Sequence, residues 1–256
     1  MDAPVDTGAE WEANAPAWIE MSRAGADRYR DLVNTPAFLD SLPDVDGLRC
    51  LDVGCGEGHN TRLLRDRGAL LTAIDISDTF IRSARDADAS IAHVRADATG
   101  LPFSDATFNV VTAFMSLMDT PDPAAALDEM TRVVRRGGCV QFSISHPVNT
   151  IPLRQWIDDD DGVRTWAAIG DYFVEGPVTT SWTFKAVPDE MRTRHAPFTI
   201  TAARRTLSGW LNMVIDAGLT IDRVIEPVAS EKIAASHPEV ADTRIVPFFL
   251  IVRSHR

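Results

Sequence analysis

The stretch Leu51-Asp52-Val53-Gly54-Cys55-Gly56-Glu57-Gly58-His59-Asn60 decides how the rest of the chain is read. It joins the short apolar run LRCLDV, residues 48–53, to an amphipathic run that begins at His59, so its three glycines fall in a strand-to-helix turn. There the backbone must reverse sharply and let a ligand approach where no Cβ stands in the way. The free N–H groups of the helix start favour anionic or polar ligand atoms. A purely structural tight turn would also ask for glycine. Spacing narrows the choice: a dinucleotide turn, G-x-G-x-x-G, needs a third glycine three positions after the second, and His59 stands there instead. The pattern present is G-x-G-x-G, preceded by an acid at Asp52.

Outward from this turn, short apolar runs alternate with helix-length amphipathic ones, the pattern of βα units on a parallel sheet. Five strands are expected at LRCLDV, ALLTAID, IAHVRAD, FNVVTAF and GGCVQFSIS, with helices over 59–67, 77–87 and 123–135. The last helix opens on Asp122-Pro123, an N-cap followed by proline, and closes on Arg135-Arg136-Gly137-Gly138. Two helices are expected within 11–42. A further helix over 206–217, ended by Gly218, precedes two final strands, LTIDRVIEP and TRIVPFFLIVRS.

The order of these segments resembles the class I S-adenosylmethionine-dependent methyltransferases, whose first motif has the G-x-G-x-G spacing. The likeness extends to Asp75 at the end of the second strand, to Asp97 in RADATGLPFSDATFNVV, and to DEMTRVVRRGG before the fifth strand. It is strongest over 48–146, in the small-molecule, ubiquinone-methyltransferase-like branch. It implies an α/β, Rossmann-like fold: a seven-stranded, mostly parallel sheet in the order 3-2-1-4-5-7-6 with helices on both faces. A single domain over 1–256 would comprise N-terminal lid helices (1–46), a cofactor-binding core (47–147), an inserted cap (148–202) and a C-terminal helix with strands (203–256).

The resemblance implies S-adenosyl-L-methionine as cofactor, S-adenosyl-L-homocysteine as product and no metal. Asp52, Gly54, Cys55 and Gly56 would form the glycine turn. Asp75 would accept the ribose hydroxyls, Ile76 would pack on the adenine, and Asp97 with Ala98 would hold its amino group. Phe114 and Met115 after the fourth strand would wall the pocket. Trp18, in Trp11-x-x-x-Ala15-x-x-Trp18, would cover the cofactor; a structural staple between helices explains the two tryptophans equally well.

A sulfonium methyl is already activated, so the protein's task is to hold a nucleophile in line with it and to exclude water. A base is needed only where the acceptor loses a proton. His146, in SISHP after the fifth strand, is the first candidate, because ligands of open α/β sheets bind beyond the carboxyl ends of the strands. The competing reading makes it a cap of the strand end. Asp119 and Tyr172 are further candidates, with His195 behind them.

Composition bounds the partners. There are 25 Lys plus Arg against 37 Asp plus Glu, a formal net charge of -12, which argues against a protein built to neutralise nucleic-acid phosphates. The three cysteines form no C-x-x-C pair, no apolar run is long enough to span a bilayer, and the N-terminus carries no secretory leader pattern; a cytoplasmic protein, monomer or homodimer, is expected. The aromatic, acidic segment after His146-Pro147 suits a cap over a small, partly apolar methyl acceptor, with O- or N-methylation expected. Competing readings are a protein or RNA methyltransferase, a catalytically idle cofactor-binding module and, more distantly, an oxidoreductase.

Overall fold

The computed structural model describes residues 6–151, 153–162, 164–184 and 186–256. Seven strands form one sheet: β1 (Arg49–Val53), β2 (Leu70–Asp75), β3 (Ala92–Arg95), β4 (Phe108–Phe114), β5 (Val134–Ser145), β10 (Thr220–Ile225) and β11 (Phe249–His255). Their order is β3-β2-β1-β4-β5-β11-β10, the expected 3-2-1-4-5-7-6. The first five run parallel, while β11 pairs antiparallel with both β5 and β10.

The central strands are apolar on both faces because helices cover both. Leu51, Val111, Val140, Phe142, Ile144 and Leu250 are all fully buried, and each such side chain contributes about 1.5–3 kcal/mol on leaving water. Helices α3 (His59–Asp66), α4 (Asp78–Ala87), α5 (Pro123–Val133) and α7 (Leu207–Asp216) supply the cover. In α5, Ala126, Leu127, Met130 and Val133 line the buried face at helical spacing, and the Asp122 carboxylate caps the first turn by accepting from Ala125 N at 3.1 Å.

Before the sheet, α1 (Thr7–Arg23) is followed by a π-helical turn, Arg30–Asn34, that runs into α2 (Thr35–Ser41). The expected two helices are present, joined by a turn of a kind that favours functional sites. The segment after β5 forms two antiparallel hairpins, β6 (Leu153–Asp158) with β7 (Arg164–Gly170), and β8 (Gly176–Trp182) with β9 (Phe198–Arg204), with the short α6 (Asp189–Arg194) between the last two strands.

Several boundaries differ from expectation: α1 starts at Thr7, β3 ends at Arg95 and β10 at Ile225, and two further shifts have a visible cause. The helix expected to reach Arg135 ends at Val133, and β5 starts at once, with Gly137 at φ +70°. The last strand begins at Phe249 rather than Thr243. Thr243 instead belongs to the 3-10 segment Pro238–Arg244, which follows α8 (Glu231–Ser236); its hydroxyl donates to Val240 O and accepts from Ala229 N. No helix among the described residues is long and apolar enough to cross a membrane.

Candidate active site

Strand order reverses between β1 and β4, so the crevice beyond their carboxyl ends is where an open α/β sheet takes its ligand. The glycine turn lies there. Gly54, Gly56 and Gly58 all have positive φ, at +74°, +56° and +85°. Gly54 N and Cys55 N both donate to Ile74 O, which pins the turn to β2. A Cβ at Gly54 would meet Ser116 Cβ at 2.3 Å, whereas one at Gly56 would meet nothing within 4 Å. The turn is therefore clamped on its β4 side and open at Gly56. The Cys55 thiol is pushed up well above its ordinary range by burial, then by Asp75 and Asp52.

Asp75 ends β2 buried. One carboxylate oxygen accepts from Gly56 N at 2.8 Å and the other from Ser77 N at 2.9 Å. Burial pushes its pKa up to about 6 against the pull of those two bonds. Each oxygen keeps a lone pair for a further donor. Asp52 has no such capacity facing outward: parallel pairing of β1 with β4 sets it beside Thr112, and its oxygens accept from Thr112 Oγ1 at 3.1 Å and Thr61 Oγ1 at 2.6 Å inside the core. It braces β1 against β4 and α3. Asp97, expected to end the third strand, is exposed two residues beyond it, with one oxygen accepting from Thr99 N and Thr99 Oγ1; Ala98 follows it, half-buried.

Helix α1 lies over this end. Its Gly8 is close enough to Ile76 that a Cβ would stand 2.9 Å from Ile76 Cδ1. Glu12 accepts from Ser77 Oγ (2.6 Å), Thr79 N (3.2 Å) and Thr79 Oγ1 (2.5 Å), tying the lid to the start of α4. Those bonds hold its carboxyl down at about 2, Ser77 contributing most. Glu10 binds the cap by accepting from Thr201 N at 2.7 Å and Thr201 Oγ1 at 2.9 Å. Trp18 sits among Trp11, Trp182, Phe184 and Phe198 with ring centroids 5.3–5.8 Å away, so it staples the lid to the β8–β9 hairpin. None of the Glu10 and Glu12 contacts has a local sequence signal, because the partners lie far along the chain.

At the end of β4, Phe114 turns inward against Phe38, centroids 4.9 Å apart, and joins the core under α2 instead of walling the crevice. Met115 stands at φ +55°, a costly conformation for a side chain of its size. Its N–H donates to Ser143 O at 2.9 Å, and Asn34 Nδ2 reaches Ser143 Oγ at 3.2 Å.

Asp119, in the 3-10 turn Leu117–Asp119 that follows β4 and lies beside β9, is half-buried. It accepts no hydrogen bond from a described residue, and burial, reinforced by the Glu10 carboxylate, pushes it up to about 8. His146 is 3% exposed. Its Nδ1 accepts from Val148 N at 3.2 Å, and its Nε2 lies 2.9 Å from Glu226 Oε1, although the ring N–H axis misses that oxygen. Burial lowers its pKa more than Glu226 raises it. Tyr172 accepts from Leu207 N at 2.8 Å, capping α7. His195 pairs with Glu20 at 2.6 Å. His146 and Tyr172 thus have structural occupations, and Asp119 is the candidate base left free.

Residues 51–142 match the family model described as "Methyltransferase domain". A crystal structure of an S-adenosylmethionine-dependent methyltransferase from Mesorhizobium loti is 30% identical, with 86% of this chain and 96% of that chain covered and a TM-score of 0.72. The chain belongs to the S-adenosylmethionine-dependent methyltransferases. The malonyl-[acyl-carrier protein] O-methyltransferase of Pseudescherichia vulneris is 40% identical to it over 36% of this chain and 37% of its own length. The demethylmenaquinone methyltransferase of Renibacterium salmoninarum is 34% identical over 50% and 52%. The methyltransferase chain thus spans about half, or less, of those two curated relatives.

The residues of this methyltransferase fit the family's cofactor. Gly56 leaves a cradle that a ligand can approach, and Asp75 retains lone pairs beside it. On the π-helical turn, Arg30 Nη2 and Asn34 Oδ1 are both buried without a hydrogen-bond partner. A donor and an acceptor orphaned on one turn match the carboxylate and ammonium of an amino-acid end, and leaving each unmet costs about 1–3 kcal/mol. Sequence reading missed both, since neither belongs to a motif.

Proposed function

We propose that the protein transfers the methyl group of S-adenosylmethionine to an oxygen or nitrogen of a small, partly apolar molecule, releasing S-adenosylhomocysteine. The observation that carries this reading is the way α1 is tied to the start of α4 by Glu12 and to the β8–β9 hairpin by Glu10 and Trp18, beside the glycine turn at the carboxyl ends of β1 and β4, an arrangement suited to enclosing a small acceptor.

When bound, the sulfonium supplies a methyl group already activated for displacement. Asp75 would hold the ribose hydroxyls, Asp97 and Ala98 the adenine amino group, and Ile76 the adenine face. Gly54 and Gly56 would shape the turn, with the open side of Gly56 admitting the cofactor where no Cβ stands in the way, while Arg30 and Asn34 would hold the amino-acid end. Asp119 would take the acceptor's proton as the new bond forms; with its pKa near 8 it is matched to proton transfer close to neutrality. Positioning supplies most of the acceleration, on the order of 7–11 kcal/mol in favourable cases. The name of the Pseudescherichia relative specifies an O-methyltransferase, which supports an oxygen acceptor.

The test is calorimetry with S-adenosylmethionine, S-adenosylhomocysteine and NAD, followed by labelled methyl transfer to small alcohols, phenols, amines and carboxylic acids, with bulk tRNA and protein alongside. Binding of the first two ligands and label on a small molecule is the expected result. NAD binding, or label on tRNA or protein alone, would overturn it.

A further inference from the structure

Strand β6 alternates outward and inward. Leu153 and Ile157 are 59% and 46% exposed, whereas Arg154 and Trp156 turn toward the body of the protein. Trp156 stacks on Phe248, centroids 6.3 Å apart and planes 16° from parallel, and Phe248 stacks in turn on Tyr29 at 4.9 Å and 17°. This three-ring stack adjoins the reaction site. Tyr29 directly precedes Arg30, Phe248 O accepts from His146 N, and Met115 packs in the same apolar cluster as Tyr29 and Phe248.

Two arginines lie against the stack, and they differ. The Arg164 guanidinium, 4.3 Å from the Trp156 ring centre, is neutralised by Asp242, with Nη1 2.8 Å from Oδ2. The same carboxylate accepts from the Tyr29 hydroxyl at 2.9 and 3.1 Å, so it has little left to give. The Arg154 guanidinium lies 5.3 Å from the ring centre of Trp156 and 5.7 Å from that of Phe248. It makes no ion pair and no hydrogen bond with a described residue, and its Nη1 is sealed from water without an acceptor. Burial lowers its pKa, yet a guanidinium stays charged throughout the working range. Unmet buried donors on a charged group cost more than neutral ones, which calls for an acceptor that the described residues do not provide. Nearby in sequence, Asn149 Oδ1 after β5 is also buried and unpartnered.

We propose that Arg154 anchors the methyl acceptor, which carries a carboxylate bound by this guanidinium and an apolar, flat body lying against Trp156, Phe248 and Tyr29. A carboxylate fits better than a phosphate: the planar fork of a single arginine matches a planar monoanion, whereas the neighbouring cation is already paired and a dianion would lack a second partner. This rests on the small-molecule methyltransferase reading above and names the substrate class for it.

The experiment uses the full chain saturated with S-adenosylhomocysteine. Phenylacetate, indole-3-acetate, hexanoate and benzoate are titrated beside their methyl esters and inorganic phosphate, with tryptophan fluorescence and calorimetry as readouts. At least one carboxylate is expected to bind ten-fold or more tightly than its ester and more tightly than phosphate. Arg154→Gln should remove that preference while leaving S-adenosylhomocysteine affinity and melting temperature unchanged, and Arg154→Lys should restore part of it. The proposal is overturned if every ester matches its acid, if phosphate binds best, or if Arg154→Gln keeps the wild-type preference. Failure of S-adenosylhomocysteine to bind the wild-type chain would instead remove the methyltransferase reading, so the two failures are distinguishable.

Discussion

Ser116 presses on the α-carbon of Gly54 so closely that a β-carbon at position 54 would stand 2.3 Å from its own. The Ser116 hydroxyl is fixed in turn by a 2.6 Å bond to Val53 O, so it cannot swing away freely. One residue after β4 thereby sets the shape of a turn after β1, at the point where both strands deliver their ends to the crevice.

Gly54→Ala should therefore fail twice, through the overlap and through φ +74°. About 1–3 kcal/mol for overpacking and about 1–2 kcal/mol for the left-handed conformation are expected. Adding Ser116→Gly should recover the first part and not the second. Thermal unfolding of the single and double variants, with S-adenosylhomocysteine calorimetry, measures both; equal melting temperatures for Gly54→Ala and wild type would refute the clamp.

Asp75 has a carboxyl raised to about 6. Burial favours its neutral form, so the ionised acceptor needed for two ribose hydroxyls is present above pH 6 and lost below it. S-adenosylhomocysteine affinity should be flat above about pH 7 and weaken as pH falls through 6. Asp75→Asn should bind weakly at every pH without that transition. A pH-independent wild-type affinity between 5 and 8 would remove Asp75 from the ribose.

Glu12 has the opposite sign. Its folded pKa lies near 2, below the ordinary 4.5, so the lid contacts contribute in full above about pH 4.5 and are lost as pH falls toward 2. Glu12→Ala removes three hydrogen bonds to Ser77 and Thr79. It should raise hydrogen exchange in α1 markedly at pH 7 and change it little at pH 2.5. Equal protection of α1 in both proteins at pH 7 would show that the aromatic staple around Trp18 holds the lid alone.

His146 and Asp119 divide the remaining roles. His146→Asn should lower the melting temperature, through loss of the Val148 and Glu226 contacts, and leave turnover nearly unchanged; a large loss of turnover at constant S-adenosylhomocysteine affinity would restore His146 as the base. Asp119 loses its proton as pH rises through about 8, so turnover with an acceptor that must be deprotonated should rise through that pH and level off. Asp119→Asn should lower turnover by about 10²–10⁴ and flatten the profile. An unaltered rate would mean that the acceptor atom carries no proton, as in a carboxylate.

The parallel core was legible because its pattern is local. A strand buried on both faces reads as a short, mainly apolar run, as in LRCLDV and FNVVTAF, and the glycine spacing between Val53 and His59 follows from the turn those two elements require. Boundaries slipped where a side chain or a proline redirected the chain: Thr243 spends its hydroxyl inside a 3-10 turn, and Pro247 can offer no ladder N–H before Phe249.

The amino-acid order was thus enough to establish the α/β class and the acids at the carboxyl ends of β1 and β2, since period, spacing and residue type act over a few residues, while the strand order came with the resemblance to the methyltransferase family. Which of those groups remain available was settled by packing between distant segments. Asp52 is consumed by Thr61 and Thr112, His146 faces Glu226, Tyr172 caps α7, and Phe114 turns to Phe38. Arg30, Asn34 and Arg154 keep polar atoms unmet. No local pattern encodes these outcomes, because a buried polar atom is satisfied or orphaned by whatever the folded chain brings within about 3 Å of it.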